Sequence, residues 1–222
     1  MINSFWDKFY KNKGKDFFWP WTDLVTLASR HLKKKKRISV LEIGIGSGAN
    51  VPFYLSRKFS VYGVDKSKQA IKILKKRYPK FEKNFFAEDF VNKKFKPKSF
   101  DLIVDRGSLS CGNDLYKIKK IISFIEVYLK NNGLFIGVDL YSKNSSYFKK
   151  KFLNNNLKKK NCFSFNKGPF SGMGEILFFS LNDIKNNFKN FDIIDLNEKK
   201  IFNYQSIEKD IFASWMMVAK KK

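Results

Sequence analysis

Ser39-Val-Leu-Glu-Ile-Gly-Ile-Gly-Ser-Gly-Ala-Asn50 is the stretch that decides the fold of this 222-residue chain. Ile38, Val40, Leu41 and Ile43 form the short apolar run of a central parallel strand buried on both faces. Gly44, Gly46 and Gly48 then alternate with larger residues, so the backbone can take positive φ and approach a ligand more closely than a Cβ permits. A helix is expected to open near Ala49, its free N–H groups facing that ligand. A dinucleotide site spaces its glycines G-x-G-x-x-G to seat a pyrophosphate. The spacing here is E-x-G-x-G-x-G, and Glu42 would repel a pyrophosphate while suiting a cationic ammonium. The next apolar run, Ser60-Val-Tyr-Gly-Val-Asp65, ends in a carboxylate placed to accept both hydroxyls of a ribose.

Glu42-x-Gly-x-Gly-x-Gly48 followed by Gly63-Val-Asp65 resembles the S-adenosylmethionine site of class I methyltransferases. The resemblance implies an α/β, Rossmann-like, doubly wound sheet of seven strands, mostly parallel with an antiparallel last strand. It also implies S-adenosyl-L-methionine as cofactor and methyl transfer as the reaction. Glu42, Gly44, Gly46, Gly48 and Asp65 with its neighbour Lys66 would hold that cofactor. A third strand, Asn84-Phe-Phe-Ala-Glu-Asp89, brings an acid beside the crevice. In the methyltransferases that the chain resembles, an acid at this point accepts a hydrogen bond from the adenine amino group; Glu88 and Asp89 are the candidates, and Asp89 matches better.

The fourth strand, Ser99-Phe-Asp-Leu-Ile-Val-Asp-Arg-Gly107, delivers Asp105 and Arg106 to the carboxyl end of the sheet, where ligands bind in open α/β folds. Both are expected near the methyl donor, Asp105 as a cofactor-side or catalytic carboxylate and Arg106 toward the acceptor. Asp-Arg-Gly-Ser-Leu109 and Trp6-Asp-Lys8 resemble the thiopurine and thiol methyltransferase branch, although that branch usually departs from the plain acidic glycine motif kept here. An arginine there resembles one that meets substrate; the competing reading is an ion pair with Asp105 or Asp101. A helix from Asp114 to Lys130 is expected to stop at Asn131-Asn-Gly133. The fifth strand, Leu134 to Leu140, then sets Asp139 and Tyr141 on the same rim as catalytic candidates.

Ahead of the first strand lies an aromatic segment, 1–36, read as a helical cap. Phe5, Trp6, Phe9 and Tyr10 give one apolar helical face, and a second helix runs from Trp21 to about Lys34. Trp6, Tyr10 and Trp19 are candidate walls of a lid over cofactor and substrate, or ordinary packing. Residues 142–180, polar and rich in Lys and Asn, form the least regular stretch and are expected on the substrate side. Ser180 caps a further helix, and Phe191–Leu196 and Ile211–Ala219 close the chain as two strands. The whole is read as one methyltransferase domain, 1–222.

A net charge of +25 raises nucleic acid as a partner. Arginine occurs only at positions 30, 37, 57, 77 and 106, and Asn, Ile and Phe are abundant, as a strongly AT-biased genome would give. The lysines read as scattered along the chain, and Lys33–Arg37 fits a helix C-terminus. Cys111, Cys162 and His31 offer no metal set. No apolar run approaches the ~20 residues of a membrane span, and no signal peptide is visible, which points to the cytoplasm. With no histidine at the rim, a small-molecule N or S acceptor is favoured over an unactivated hydroxyl, and a nucleic-acid or protein acceptor is the alternative.

Overall fold

The computed structural model describes residues 4–12, 19–32, 37–154, 161–205 and 210–222. Phe17, Phe18 and the lysines at 33–36 lie outside the described residues. Strand β1 (Ser39–Ile43) is followed by α3 (Val51–Ser56), β2 (Ser60–Asp65), α4 (Lys68–Arg77), β3 (Phe85–Ala87) and β4 (Phe100–Arg106). After them come α5 (Leu115–Tyr128), β5 (Leu129–Tyr141), α6 (Ser146–Asn154), β6 (Cys162–Ser164), β7 (Glu175–Leu177), α7 (Leu181–Asn187), β8 (Phe191–Phe202) and β9 (Ile211–Lys221). Among the described residues, two helices precede β1: α1 (Ser4–Asn12) and α2 (Thr22–His31).

Seven strands form one sheet in the order β3-β2-β1-β4-β5-β9-β8. Strands β1 to β5 pair in parallel, and β9 inserts antiparallel between β5 and β8. Both faces are covered, which explains why β1 and β4 read as continuous apolar runs. On one face, Leu24 and Leu27 of α2, Tyr54 of α3 and Leu74 of α4 pack on Val40, Leu102 and Ile136. On the other, Ile118, Ile121 and Ile125 of α5 and Ile184 of α7 pack on Leu41, Ile103 and Phe135.

Caps set the helix starts. Ser67 accepts from Ala70 N–H, Asp114 from Lys117 N–H, and Ser180 with Asp183 makes a reciprocal box at α7. The stop of α5 differs from expectation. Asn132, not Gly133, takes the left-handed conformation (φ 60°), and a Cβ on Gly133 would sit 2.8 Å from the Lys130 carbonyl oxygen. The glycine is needed there for close backbone approach.

The stretch 142–180 is also more regular than its composition suggests. Helix α6 and the β6–β7 hairpin enclose a small core of Phe148, Phe163, Phe165, Phe170 and Phe178, joined to Tyr141 on the sheet. Aromatics spaced irregularly among lysines carry neither helical nor strand periodicity, so this core is assembled only by the fold.

Candidate active site

Above the carboxyl ends of β1, β2 and β4 lies a cavity of about 610 Å³. Its floor is the turn Glu42 to Asn50. Gly44, Gly46 and Gly48 all adopt positive φ (68°, 58° and 90°). The room left by their missing Cβ atoms is already used: Ser108 fills it at Gly44, the Tyr10 hydroxyl at Gly46, and Leu74 at Gly48. Gly48 is absent from the cavity wall and serves the packing of α3 and α4 instead of ligand approach.

Glu42 is buried beneath the turn. Its Oε1 accepts a 2.7 Å hydrogen bond from the Asn50 amide, and the hydroxyl of Tyr54 faces the same carboxylate. Burial raises the carboxyl from 4.5 to about 8. Asn50 is doubly used, since its Oδ1 accepts from the Trp21 backbone N–H at 3.0 Å and so ties the start of α2 to the turn. Asp65 pins the turn from β2: its Oδ2 accepts from Gly46 N–H (2.9 Å) and Oδ1 from Ser67 N–H (2.8 Å). Desolvation raises its carboxyl as well.

Glu88 and Asp89 both line the cavity, beside Lys66. Asp89 is clamped by Lys117 at 2.6 Å and Lys66 at 3.4 Å. Burial works to raise its carboxyl, but the two lysines hold it below the usual range. Glu88 makes no such pair among the described residues.

Two expected carboxylates do not reach the cavity. Asp105 is fully buried and turned into the following loop, bonded to the Ser108 hydroxyl and to Leu109 N–H. That corrects its expected place beside the donor: the loop's own donors capture it first. Asp139 is bound to Arg106 at 2.8 Å and accepts from Ser214 at 3.2 Å. A bulge between Gly137 and Leu140 in the β5–β9 pairing puts Asp139 in the left-handed region (φ 57°), and this aims its side chain along the rim instead of into the cavity. Arg106 therefore pairs with neither Asp105 nor Asp101; Asp101 is held by Lys130 and Ser39.

Arg106 does line the cavity, its guanidinium 3.6 Å from the Trp21 ring and its Nε–H buried without a partner. Tyr141 and Cys111 lie beside it. Burial pushes the Cys111 thiol up to about 12 and the Tyr141 hydroxyl well above its ordinary range.

Helix α1 closes the cavity with Phe5, Trp6, Phe9 and Tyr10. Asp7 fastens it by accepting from the Ser67 hydroxyl (2.6 Å) and from Gln69 N–H (3.1 Å) at the start of α4. Across the cavity, a Cβ on Gly172 would lie 2.9 Å from the Phe5 ring, so α1 also meets the 168–174 turn, whose Pro169, Ser171 and Met173 complete the wall. Trp19 is corrected: it is 83% exposed and absent from the wall, where Trp21 stands instead. The structure thus brings together Trp6, Tyr10, Glu42, Gly44, Gly46, Asp65, Lys66, Glu88, Asp89, Arg106 and Tyr141. Sequence reasoning missed Asp7, Trp21, Ser108 and Cys111. For Asp7 the signal was present, in the one acidic residue among the aromatics of α1. Among the described residues no group of His, Cys, Asp and Glu could hold a metal ion.

The family described as "Methyltransferase domain" matches residues 34–212, and the chain belongs to it. It is an S-adenosylmethionine-dependent methyltransferase with the class I fold. No curated protein matches the chain. Among solved structures, an S-adenosylmethionine-dependent methyltransferase from Methanosarcina mazei superposes with a TM-score of 0.71 at 20% identity, covering 88% of this chain and 96% of that one. Phosphoethanolamine N-methyltransferase 2 from Haemonchus contortus, solved with phosphomonomethylethanolamine and S-adenosylhomocysteine, gives 0.63 at 18%, covering 98% and 57%. TehB from Haemophilus influenzae gives 0.62 at 18%, covering 98% and 67%. At these identities the likeness is one of fold, and none of the three singles out the thiopurine and thiol branch.

Proposed function

We propose that this single domain, with 1–36 as cap and 142–180 as substrate-side insertion, methylates a small molecule at nitrogen or sulfur. The fit to the donor rests on the floor of the cavity. All four acids line the cavity: the Glu42 carboxylate suits an ammonium, Asp65 a ribose, and Glu88 or Asp89 an adenine amino group. Gly44, Gly46 and Lys66 complete that set. When bound, S-adenosylmethionine supplies a methyl group already activated by its sulfonium charge.

The chain then has to align the acceptor and exclude water. Phe5, Trp6, Phe9, Trp21, Tyr141 and Met173 provide an apolar wall for the second task. The observation that carries the choice of acceptor atom is the absence, among the described residues, of a carboxylate or imidazole free to act as base on the Arg106 side. Asp105, bonded through Oδ1 alone, and Asp139, paired with Arg106, both lie off the cavity wall, and Tyr141 and Cys111 hold their protons. An acceptor there must be nucleophilic at neutral pH without help from a base, which a thiolate or an unprotonated ring nitrogen is and an unactivated hydroxyl is not. Arg106 orients it through the free Nε–H.

The test is a thermal melt with S-adenosylhomocysteine, with NAD as control, followed by a panel of small thiols, amines, N-heterocycles and alcohols with labelled donor. Ligand at 100 times its Kd adds about 2.7 kcal/mol to stability. Expected are a shift with S-adenosylhomocysteine alone, its loss in Asp65→Ala, and turnover of a thiol or nitrogen acceptor. Turnover confined to alcohols, or to tRNA or protein, would overturn the proposal.

A further inference from the structure

Positive charge is concentrated, contrary to the even scatter expected from the sequence. Residues 57–98 contain 14 of the 45 basic side chains and only 4 of the 20 acidic ones. They build β2, α4, β3 and the loop into β4, so the charge collects at the β3 edge of the sheet. At the opposite edge, β8 carries 3 acidic and 2 basic residues.

Helix α5 extends this edge. Tyr116, Lys120 and Phe124 follow one another at i, i+4 and i+8, which puts them in one stripe along the helix. Tyr116 is 80% exposed. Lys120 and Lys94 both stand over the Phe124 ring, at 5.9 and 4.9 Å, so the loop after β3 and the helix share one surface. Lys98 N–H, bonded to the Val127 carbonyl at 3.0 Å, fastens the same loop to the end of α5. The ion pairs at this edge run from Lys66 and Lys117 to Asp89 and leave Lys94, Lys119 and Lys120 without a carboxylate among the described residues. Helix stability does not account for these lysines either. Helix α5 has no acid in its first turn, and Lys117, Lys119 and Lys120 occupy its N-terminal half, where the helix dipole disfavours cations.

We propose that the α5 stripe and the Lys93–Lys98 loop form a docking surface for single-stranded nucleic acid. Lysines flanking an exposed ring match a strand that offers phosphates and unpaired base faces together; a duplex hides its base faces, and an acidic peptide has none. Lys94, Lys119 and Lys120 meet phosphates, and Tyr116 stacks a base. Lys94, Tyr116, Lys119 and Lys120 are not in the cavity wall, although Ile121 of the same helix is, so the docking is tested separately from the choice of acceptor.

The experiment is fluorescence anisotropy of the full chain with a labelled 20-nucleotide oligouridine across a salt series, with labelled polyglutamate as the competing polyanion. Wild type should bind the oligonucleotide in low salt, with an affinity that falls steeply as salt rises. Lys94→Glu with Lys120→Glu should weaken binding at least about tenfold, lowering the salt slope by about 0.7 for each phosphate that is no longer neutralised. Tyr116→Ala should weaken the oligonucleotide and leave polyglutamate unchanged. Lys185→Glu with Lys189→Glu makes the same change in net charge on α7 and the turn after it, and should leave binding near wild type. Equal losses in both charge-reversed pairs, indifference to Tyr116→Ala, or polyglutamate bound as tightly as the oligonucleotide would each overturn the docking surface. Methyl incorporation into the oligonucleotide would support docking while removing the small-molecule reading, so the two proposals fail separately.

Discussion

Glu42 is a buried acid whose proton is retained to about pH 8, well above its ordinary 4.5. Between those values the unfolded chain has released a proton that the folded chain still holds, so stability falls as pH rises through the window, by up to about 1.4 kcal/mol per unit. Asp105, raised to about 7, acts with the same sign. The melting temperature of the ligand-free protein should therefore drop from pH 6 to pH 8, and Glu42→Gln should flatten that drop. An ammonium facing Glu42 favours the ionised form, so the thermal shift with S-adenosylhomocysteine should grow over the same range in wild type and stay level in Glu42→Gln. A constant shift in both would remove Glu42 from the donor site. Gly46 gives a second prediction. An Ala there meets the Tyr10 oxygen at 2.4 Å and must hold φ near 58°, a conformation costing roughly 1–2 kcal/mol. Gly46→Ala should weaken S-adenosylhomocysteine at least about tenfold, and Tyr10→Phe in the same chain should restore part of the loss. The places of Glu42, Asp65, Gly44 and Gly46 at the cavity were legible because a strand-to-turn motif fixes its own local geometry, whereas Gly48 packs against Leu74 and Val51 instead. Asp105 and Asp139 were misplaced because loop donors and a β-bulge, neither visible in local spacing, decide where those carboxylates point.

At the scale of elements, α1 is joined to the cofactor floor through α4. Asp7 binds the Ser67 hydroxyl, while Ser67 N–H binds Asp65 and Gly46 N–H binds the other oxygen of that same acid. Loss of the helix-terminal bonds made by Asp7 should cost about 1 kcal/mol, which lowers the melting temperature by roughly 2–4 °C in a chain of this size. Asp7→Ala should also weaken S-adenosylhomocysteine several-fold, whereas Asp7→Asn, which keeps an acceptor oxygen, should retain most of the affinity. Equal affinity in Asp7→Ala would show that the cap and the donor site are uncoupled. The major helices and all the strands of the large sheet could be read from periodicity, Ser, Asp and Pro at helix starts, and glycine at turns. The β6–β7 hairpin could not, since its two three-residue strands are specified by aromatic packing across the sequence.

Over the whole molecule, the strand order with an antiparallel β9 is the arrangement that the resemblance implied, and it gathers the candidate cofactor residues of the cavity wall at one end of the sheet. The distribution of charge was not legible in the same way. Lysine runs look scattered along a line and become a surface only when β3, the following loop and α5 are brought side by side. The lid has a consequence for the rhythm of turnover. Helix α1 is anchored to α4 on one side of the cavity and rests against the 168–174 turn on the other, and on the proposal that it acts as a lid, acceptor and product exchange when it lifts. In many enzymes the opening of such a segment, and not the chemistry, limits turnover. Quenched-flow measurements should accordingly register a burst of one equivalent of methylated product before the steady state, and loosening the anchor with Asp7→Ala should shrink the burst as release catches up with chemistry.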